Sequence, residues 1–322
     1  MARLVELKDR VSDRLALLGS GRMFVRILAG LLLLILLYYL IGAFWVHTID
    51  DNPDFAPTDA PAGGSHAVAV AAALIQREVD HHAWTANDPF FFPGSMLDNM
   101  PNFQQGIIYA LSRFGNALTE QLARSRGASA VDPDADRATG LLRYPGDIWL
   151  FNFDTSVAPT ASSESQYRTA YRALRAYNQR VAEGNATFER RADSLINTLE
   201  RFINDLGSAS AGIDEHLRNN AGFPISFTAD DLFYQTKGRL YAYYMLLKGL
   251  GEDFEPVLNE RNLGTVWRQM LQSAREAAEQ QPWVVMNGGP SSQFVPSHLG
   301  SQGFLLLRTR TQLREVADVL QK

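Results

Sequence analysis

Six histidines and a few clustered carboxylates are the side chains best able to do chemistry in this 322-residue chain. Glu78 and His82 stand four residues apart in a predicted helix, with Asp80 and His81 beside them. Carboxylate and imidazole on one helical face can bind zinc or pass a proton. HExxH is absent and no third ligand has a diagnostic spacing, so an exposed helix end is expected there and no metal. Asp132, Asp134 and Asp136 alternate as at the start of a calcium loop. Arg137 replaces the turn glycine and Arg143 stands where the bidentate Glu belongs, so the expectation is an acidic loop that starts a helix.

The absence of cysteine excludes disulfide scaffolds, thiolate zinc sites and cysteine nucleophiles. GxSxG and SxxK do not occur, and Asn287-Gly288-Gly289-Pro290 reads as a turn, not a phosphate loop. No cofactor is expected. A net charge of −5 leaves no electrostatic footprint for nucleic acid. By elimination the candidate site is the loop at 84–105, where Trp84, Phe90, Phe91 and Phe92 accompany Asp98, Asn99 and Gln104. A loop this apolar must pack into the core, or must contact lipid, a ligand or a partner.

The elements that carry these residues begin with a membrane signal. From Ile27 to Val46 run 20 residues without a charge. As a helix they span about 30 Å, the hydrocarbon thickness of a bilayer. Residues 1–26 carry six basic and three acidic side chains, whereas Asp50, Asp51, Asp54 and Asp59 follow the run with no Lys or Arg before Arg77. The positive-inside rule then puts the N-terminus in the cytoplasm and the C-terminal domain outside, with Phe44 and Trp45 in the outer aromatic belt. Ile41-Gly42-Ala43 would pass as a cleavage site, but the long basic lead-in and the long apolar run favour an uncleaved signal anchor. Leu4, Leu7, Val11, Leu15 and Leu18 give residues 1–26 one apolar helical face opposite basic residues, suited to the inner leaflet or to a partner.

Residues 47–65 hold Pro53, Pro57 and Pro61 among acidic and small residues, and read as a flexible linker. Extended, it would hold the next domain up to roughly 60 Å from the membrane. Residues 66–322 read as one mainly α domain, an all-helical bundle. Helices are predicted at His66–His82, Asn102–Arg126 with Gly127 as cap, Ala229–Leu250 behind a Thr228/Asp231 capping box, Leu263–Gln280, and His298–Gln321 capped by Ser297. In the last, Phe304, Leu307, Leu313 and Val316 are expected to face inward. Apolar residues from Tyr167 to Val181 and from Phe188 to Ile213 keep a heptad spacing on either side of Gly184-Asn185. They predict an antiparallel coiled-coil-like hairpin over about 164–218, either protruding or packed in the bundle. Arg143–Phe153 and Trp283–Met286 are apolar without helical period and could be short strands or buried extended loops, or pair as a small ribbon.

The blocks WTANDPFFFPGSMLDNMPNFQQGI (84–107), LLRYPGDIWLFNF (141–153) and PSHLGSQGFLLLRTRTQLREV (296–316), with the N-terminal anchor, carry a resemblance. The chain resembles a domain-of-unknown-function family of uncharacterised proteobacterial inner-membrane-anchored periplasmic proteins. The resemblance covers nearly the whole chain. It implies a Gram-negative source and a single span, and supplies no reaction, cofactor or catalytic residue.

The expectation is therefore a non-enzymatic, membrane-anchored periplasmic scaffold or regulatory protein of the cell envelope. Its partners would be the lipid bilayer and an envelope protein or a second copy of the chain. Two alternatives stand: an envelope enzyme hydrolysing cell wall or lipid, sited around Glu78/His82 and Asp98/Asn99, and a lipid or small-ligand carrier with Phe90–Phe92 lining a cavity.

Overall fold

The computed structural model describes residues 21–125, 132–152 and 155–322. The amphipathic pattern expected in 1–26 falls mostly on residues 1–20, and with the Gly127 cap it lies outside them. Among the described residues the chain forms ten α-helices and no strand, and 68% of it is helical. The all-helical bundle is as expected.

Helix α1, Gly21–Val46, is the apolar segment, and its stretch Met23–Val46 is long and apolar enough to cross a membrane and is not buried in the bundle. Helix α2, His66–Gln76, is almost wholly buried, and a π turn at Arg77–His81 ends it. Its N-terminus is capped twice. Ser65 Oγ accepts from Val68 N–H, and Asp253 accepts from Ser65 Oγ–H (2.7 Å), His66 N–H (2.9 Å) and Ala67 N–H (3.0 Å). A carboxylate there satisfies orphan donors and complements the helix dipole.

A single 3₁₀ turn, Pro93–Met96, precedes helix α3, Asn99–Ser125. Then come α4, Pro133–Leu141; α5, Ser163–Ala182; α6, Ala192–Asn219; α7, Phe227–Asp253; α8, Glu255–Glu260; α9, Gly264–Ala278; and α10, His298–Leu320. Helix α7 is the central post. Every residue from Leu240 to Leu247 is buried, as happens only when a helix is covered on all sides. It packs on α3, α9 and α2. The α3–α7 contact is a backbone approach. A β-carbon on Gly106 would meet the Gln235 carbonyl, and one on Gly238 would meet the Phe103 carbonyl. Two glycines facing opposite ways thus let these two 27-residue helices close up.

The hairpin expected at 164–218 is corrected by this packing. Both helices and the turn exist, with Gly184 at φ +74°. But α5 lies on α2 and α4, whereas α6 lies on α10 and α3. Phe188, read as a seam residue, is in the connector, with its ring 6.1 Å from that of Phe254. Heptad spacing marks an apolar stripe but does not say which helix covers it. Among the described residues, the segments 143–153 and 283–286 do not pair with each other either. Phe151 bridges Pro159, and Met286 bridges Ile225. The cap of α7 is Ser226, not Thr228, while Ser297 caps α10 as predicted. On α10, Leu313 and Val316 are buried but Phe304 and Leu307 are exposed.

The composition of 47–65 predicts looseness; the structure instead holds this segment as a strap along the bundle. Asp51 meets Lys237 Nζ at 2.6 Å, with the lysine side chain 1% exposed. Tyr241 Oη–H donates to Asn52 O (2.9 Å), and the Arg77 guanidinium stacks on Phe55 at 4.9 Å and reaches Asp50 at 3.4 Å. Farther along, Arg175 pairs with Asp59 at 3.2 Å. The prolines bar a helix, but long-range partners replace it.

Candidate functional site

The loop at 84–105 divides into an inward and an outward half. Trp84 is buried, donates from Nε1–H to Gly146 O (2.8 Å) and sits edge-on to Tyr167 with centroids 5.0 Å apart. Gln104, fully buried, is a four-way staple. Its Oε1 accepts from Thr85 N–H (3.1 Å) and Oγ1–H (3.2 Å), and its Nε2 donates to Ala83 O (2.9 Å) and Glu78 Oε2 (3.1 Å). These two candidate contact residues hold the loop to the core.

Phe90, Phe91 and Phe92 point outward, 82%, 43% and 39% exposed. Their backbone lies against α1. Tyr38 Oη–H donates to Phe91 O (3.0 Å) and Tyr39 Oη–H to Phe90 O (2.5 Å), while Pro93 fills the space that a side chain at Gly42 would need. Between Phe24 and Val46, only Tyr39, Gly42, Ala43 and Val46 are partly covered. That spacing is one face of the last two turns of α1. Trp149 completes the cluster, 5.5 Å from the Phe91 ring and 6.2 Å from Phe92.

Asp98 and Asn99 lie at the start of α3, opposite the start of α7. Asn99 N–H donates to Asp98 Oδ1 (2.9 Å), and Asn102 Nδ2 donates to Asp231 Oδ1 (2.7 Å). Asp230 completes a trio of carboxyl groups. Burial, and then the charges of Asp98 and Asp231, push its carboxyl up to about 6. Among the described residues no group of three His, Cys, Asp or Glu side chains could hold a metal ion.

Glu78 and His82 do not form an open acid–base pair. Glu78 is fully buried; Arg77 Nε–H donates to its Oε1 (2.9 Å), and His82 Nδ1 stands 3.8 Å from its Oε2. Burial alone would push this carboxyl up, but the neighbouring His82 imidazole and the Arg77 charge outweigh it and hold it below its ordinary value. Arg77 also donates to Tyr241 Oη (2.8 Å). The cluster is a latch between the strap, α2 and α7. Likewise Asp132 caps α4, and Arg180 clamps Asp132 (2.7 Å) and Asp134 (2.6 Å), the helix-initiating role expected of that loop.

Sequence reasoning missed Tyr38, Tyr39, Gly42 and Pro93 as a unit. Two adjacent tyrosines and a small-residue pair inside an apolar run are the signal that could have found them. It also missed a groove of about 620 Å³ where Arg113, Arg143 and Arg201 meet Tyr109 and Tyr144. Arg113 donates to Tyr109 Oη (2.6 Å) and Arg143 Nε–H to Asn116 Oδ1 (3.1 Å). Tyr109, Arg113 and Asn116 lie on α3, Arg143 and Tyr144 follow α4, and Arg201 lies on α6, so only the packing assembles the groove.

Fold and site define a class: a helical bundle preceded by one helix long and apolar enough to cross a membrane, with an exposed aromatic loop laid against that helix. The family model described as an uncharacterized protein conserved in bacteria (DUF2333) matches residues 23–221 and 225–295, and the chain belongs to that family. No curated protein and no solved structure matches the chain.

Proposed function

We propose that the chain is a non-enzymatic scaffold of the bacterial envelope, anchored in the inner membrane by α1, with its N-terminus cytoplasmic and its helical domain periplasmic. The observation that carries this reading is the contact of Tyr38, Tyr39 and Gly42 with the backbone of Phe90–Pro93. It gives the small residues at 42–43 a packing role and makes the end of α1 part of the folded domain. Cleavage at that point would strip the loop of its partner, which favours an anchor over a removed signal. The charge asymmetry around the apolar run, +3 on residues 1–26 and −8 beyond, supports the orientation.

Glu78 is committed to Arg77 and Gln104, so that carboxylate, which an envelope hydrolase would need, serves as a structural partner. A periplasm-active reporter fused after Lys322 should be active and a cytoplasm-only reporter silent; the reverse would overturn the orientation. In-cell crosslinking with mass spectrometry should recover one defined envelope complex. Hydrolysis of wall or lipid by the purified chain, lost on Asp98→Ala, would overturn the non-enzymatic reading.

A further inference from the structure

Outside α1, the large apolar side chains left exposed fall largely into two groups. The first is Phe90, Phe91, Phe92 and Met96 with Trp149 and Leu150. The second is Phe223, Ile225 and Phe227 with Trp283 and Val284, in which Trp283 is 100% exposed. The first lies against the end of α1, and the second is linked to it through Asn99, Met100 and Thr48. The first group grips its last turns through Tyr38, Tyr39 and Gly42. The second shares a depression of about 190 Å³ with Asn99, the first residue of α3. The next residue, Met100, takes the Thr48 N–H on its sulfur at 3.2 Å, and Thr48 is two residues beyond the end of α1.

Depth follows from the helix. Phe91 and Phe90 are bonded at Tyr38 and Tyr39, eight and seven residues before Val46. At 1.5 Å per residue their carbonyls lie about 10–12 Å back along the axis from the end of α1. Phe44 and Trp45, 86% and 84% exposed, sit between that level and the end. If α1 spans the membrane with those two rings at the interface, the loop lies at acyl-chain depth. Charge points the same way. Segments 89–97, 148–152, 221–229 and 282–286 hold no Asp, Glu, Lys or Arg. The nearby Asp98, Asp230 and Asp231 would repel anionic headgroups, so apolar insertion and not basic attraction would drive contact.

We propose that this face of the domain is seated in the lipid leaflet at the C-terminal end of α1, through the Phe90–Met96 loop and Trp149 and through Phe227 and Trp283. The bilayer is then a second, extended partner of the domain as well as the solvent of its anchor. The inference rests on the anchor reading above.

The chain lacks cysteine, so single cysteines can be placed without background. Phe90→Cys, Phe227→Cys, Leu34→Cys and Asn185→Cys all fall at exposed positions, and unchanged circular dichroism melting would confirm the fold of each. Spin-labelled full-length variants would be reconstituted into vesicles of phosphatidylethanolamine and phosphatidylglycerol. Collision rates with oxygen and with a water-soluble nickel chelate would then be measured. Labels at 90 and 227 should show a several-fold higher oxygen-to-nickel ratio than the label at 185. The ratio should hold in vesicles of neutral lipid and in high salt. Aqueous ratios at 90 and 227 with a lipid ratio at 34 would overturn the seating while leaving the anchor intact. An aqueous ratio at 34 would overturn the anchor reading itself. Spin–spin broadening between copies at 90 or 227 would show a second chain on this face and would also overturn the proposal.

Discussion

Gly42 of the apolar helix and Pro93 of the aromatic loop meet so closely that a β-carbon on Gly42 would lie 2.6 Å from Pro93 Cβ. Helix and loop share this surface only because residue 42 has no side chain. Gly42→Leu should therefore push the loop away and destabilise the contact by about 1–3 kcal/mol, the usual cost of overpacking. Hydrogen exchange should then quicken in residues 90–97 and stay unchanged in α7. Equal protection in both proteins would mean that the contact does not hold the loop.

The strap makes a second prediction. Lys237 Nζ is tied to Asp51 and to the carbonyls of Ala278 (3.0 Å) and Gln280 (2.5 Å). Lys237→Met leaves the Asp51 carboxylate, 11% exposed, without its cation. Breaking a buried pair from one side costs about 3–5 kcal/mol, and the double variant Asp51→Asn/Lys237→Met should recover part of it. Urea unfolding of the purified chain reads both. A loss below about 1 kcal/mol would place the strap among loosely held segments.

Glu78→Gln tests the latch. It removes the partner of Arg77 in a fully buried site, so the melting temperature should fall, with a cost of about 3–5 kcal/mol. Metal content should be the same in both proteins. Loss of a bound metal on substitution, with stability unchanged, would revive the ligand reading of Glu78 and His82.

The pH dependence has a definite sign. Burial, and then the neighbouring Glu164, push the Asp88 carboxyl up to about 6, and Asp230 reaches about 6 by burial beside Asp98 and Asp231. Each folded group holds its proton at a pH where the unfolded chain, near 3.8, has lost it. Stability from these groups therefore falls as pH rises from about 4 to about 6, and the cost is fully present above that window. Asp88→Asn copies the protonated state. It should stabilise the protein at pH 7 by about 1 kcal/mol, allowing for solvent screening of a half-exposed group, and flatten that limb of the pH profile. An unchanged profile would remove Asp88 from the account.

Much of the architecture is legible along the chain because it is written locally. The apolar run of α1, the buried face of α3 from Phe103 to Leu118, and the Ser297 cap each depend on residues within a few turns. What escapes is set by distant partners. Asp51 and Asn52 look like solvated linker residues until Lys237 and Tyr241 arrive from the middle of the sequence. The stripes of α5 and α6 announce burial correctly, yet two neighbours in sequence were equally compatible with covering each other, and α2, α4, α10 and α3 cover them instead. At the site, aromatic content singled out Phe90–Phe92, and nothing in that stretch reveals that Tyr38 and Tyr39 are its acceptors' donors. Trp84 and Gln104 share the loop but serve the core, because a polar side chain at the base of an inward turn must be satisfied there.

The central claim is that α1 and the bundle are one body joined at the aromatic loop. Gly42→Cys together with Pro93→Cys in the full chain tests it directly. A disulfide prefers β-carbons about 3.5–4.5 Å apart, so an outward shift of about 1 Å suffices. Mild oxidation in native membranes should join peptides 42 and 93 within one chain, nearly to completion, as read by mass spectrometry of the digest. Free thiols after oxidation, or links formed only between separate chains, would contradict the account.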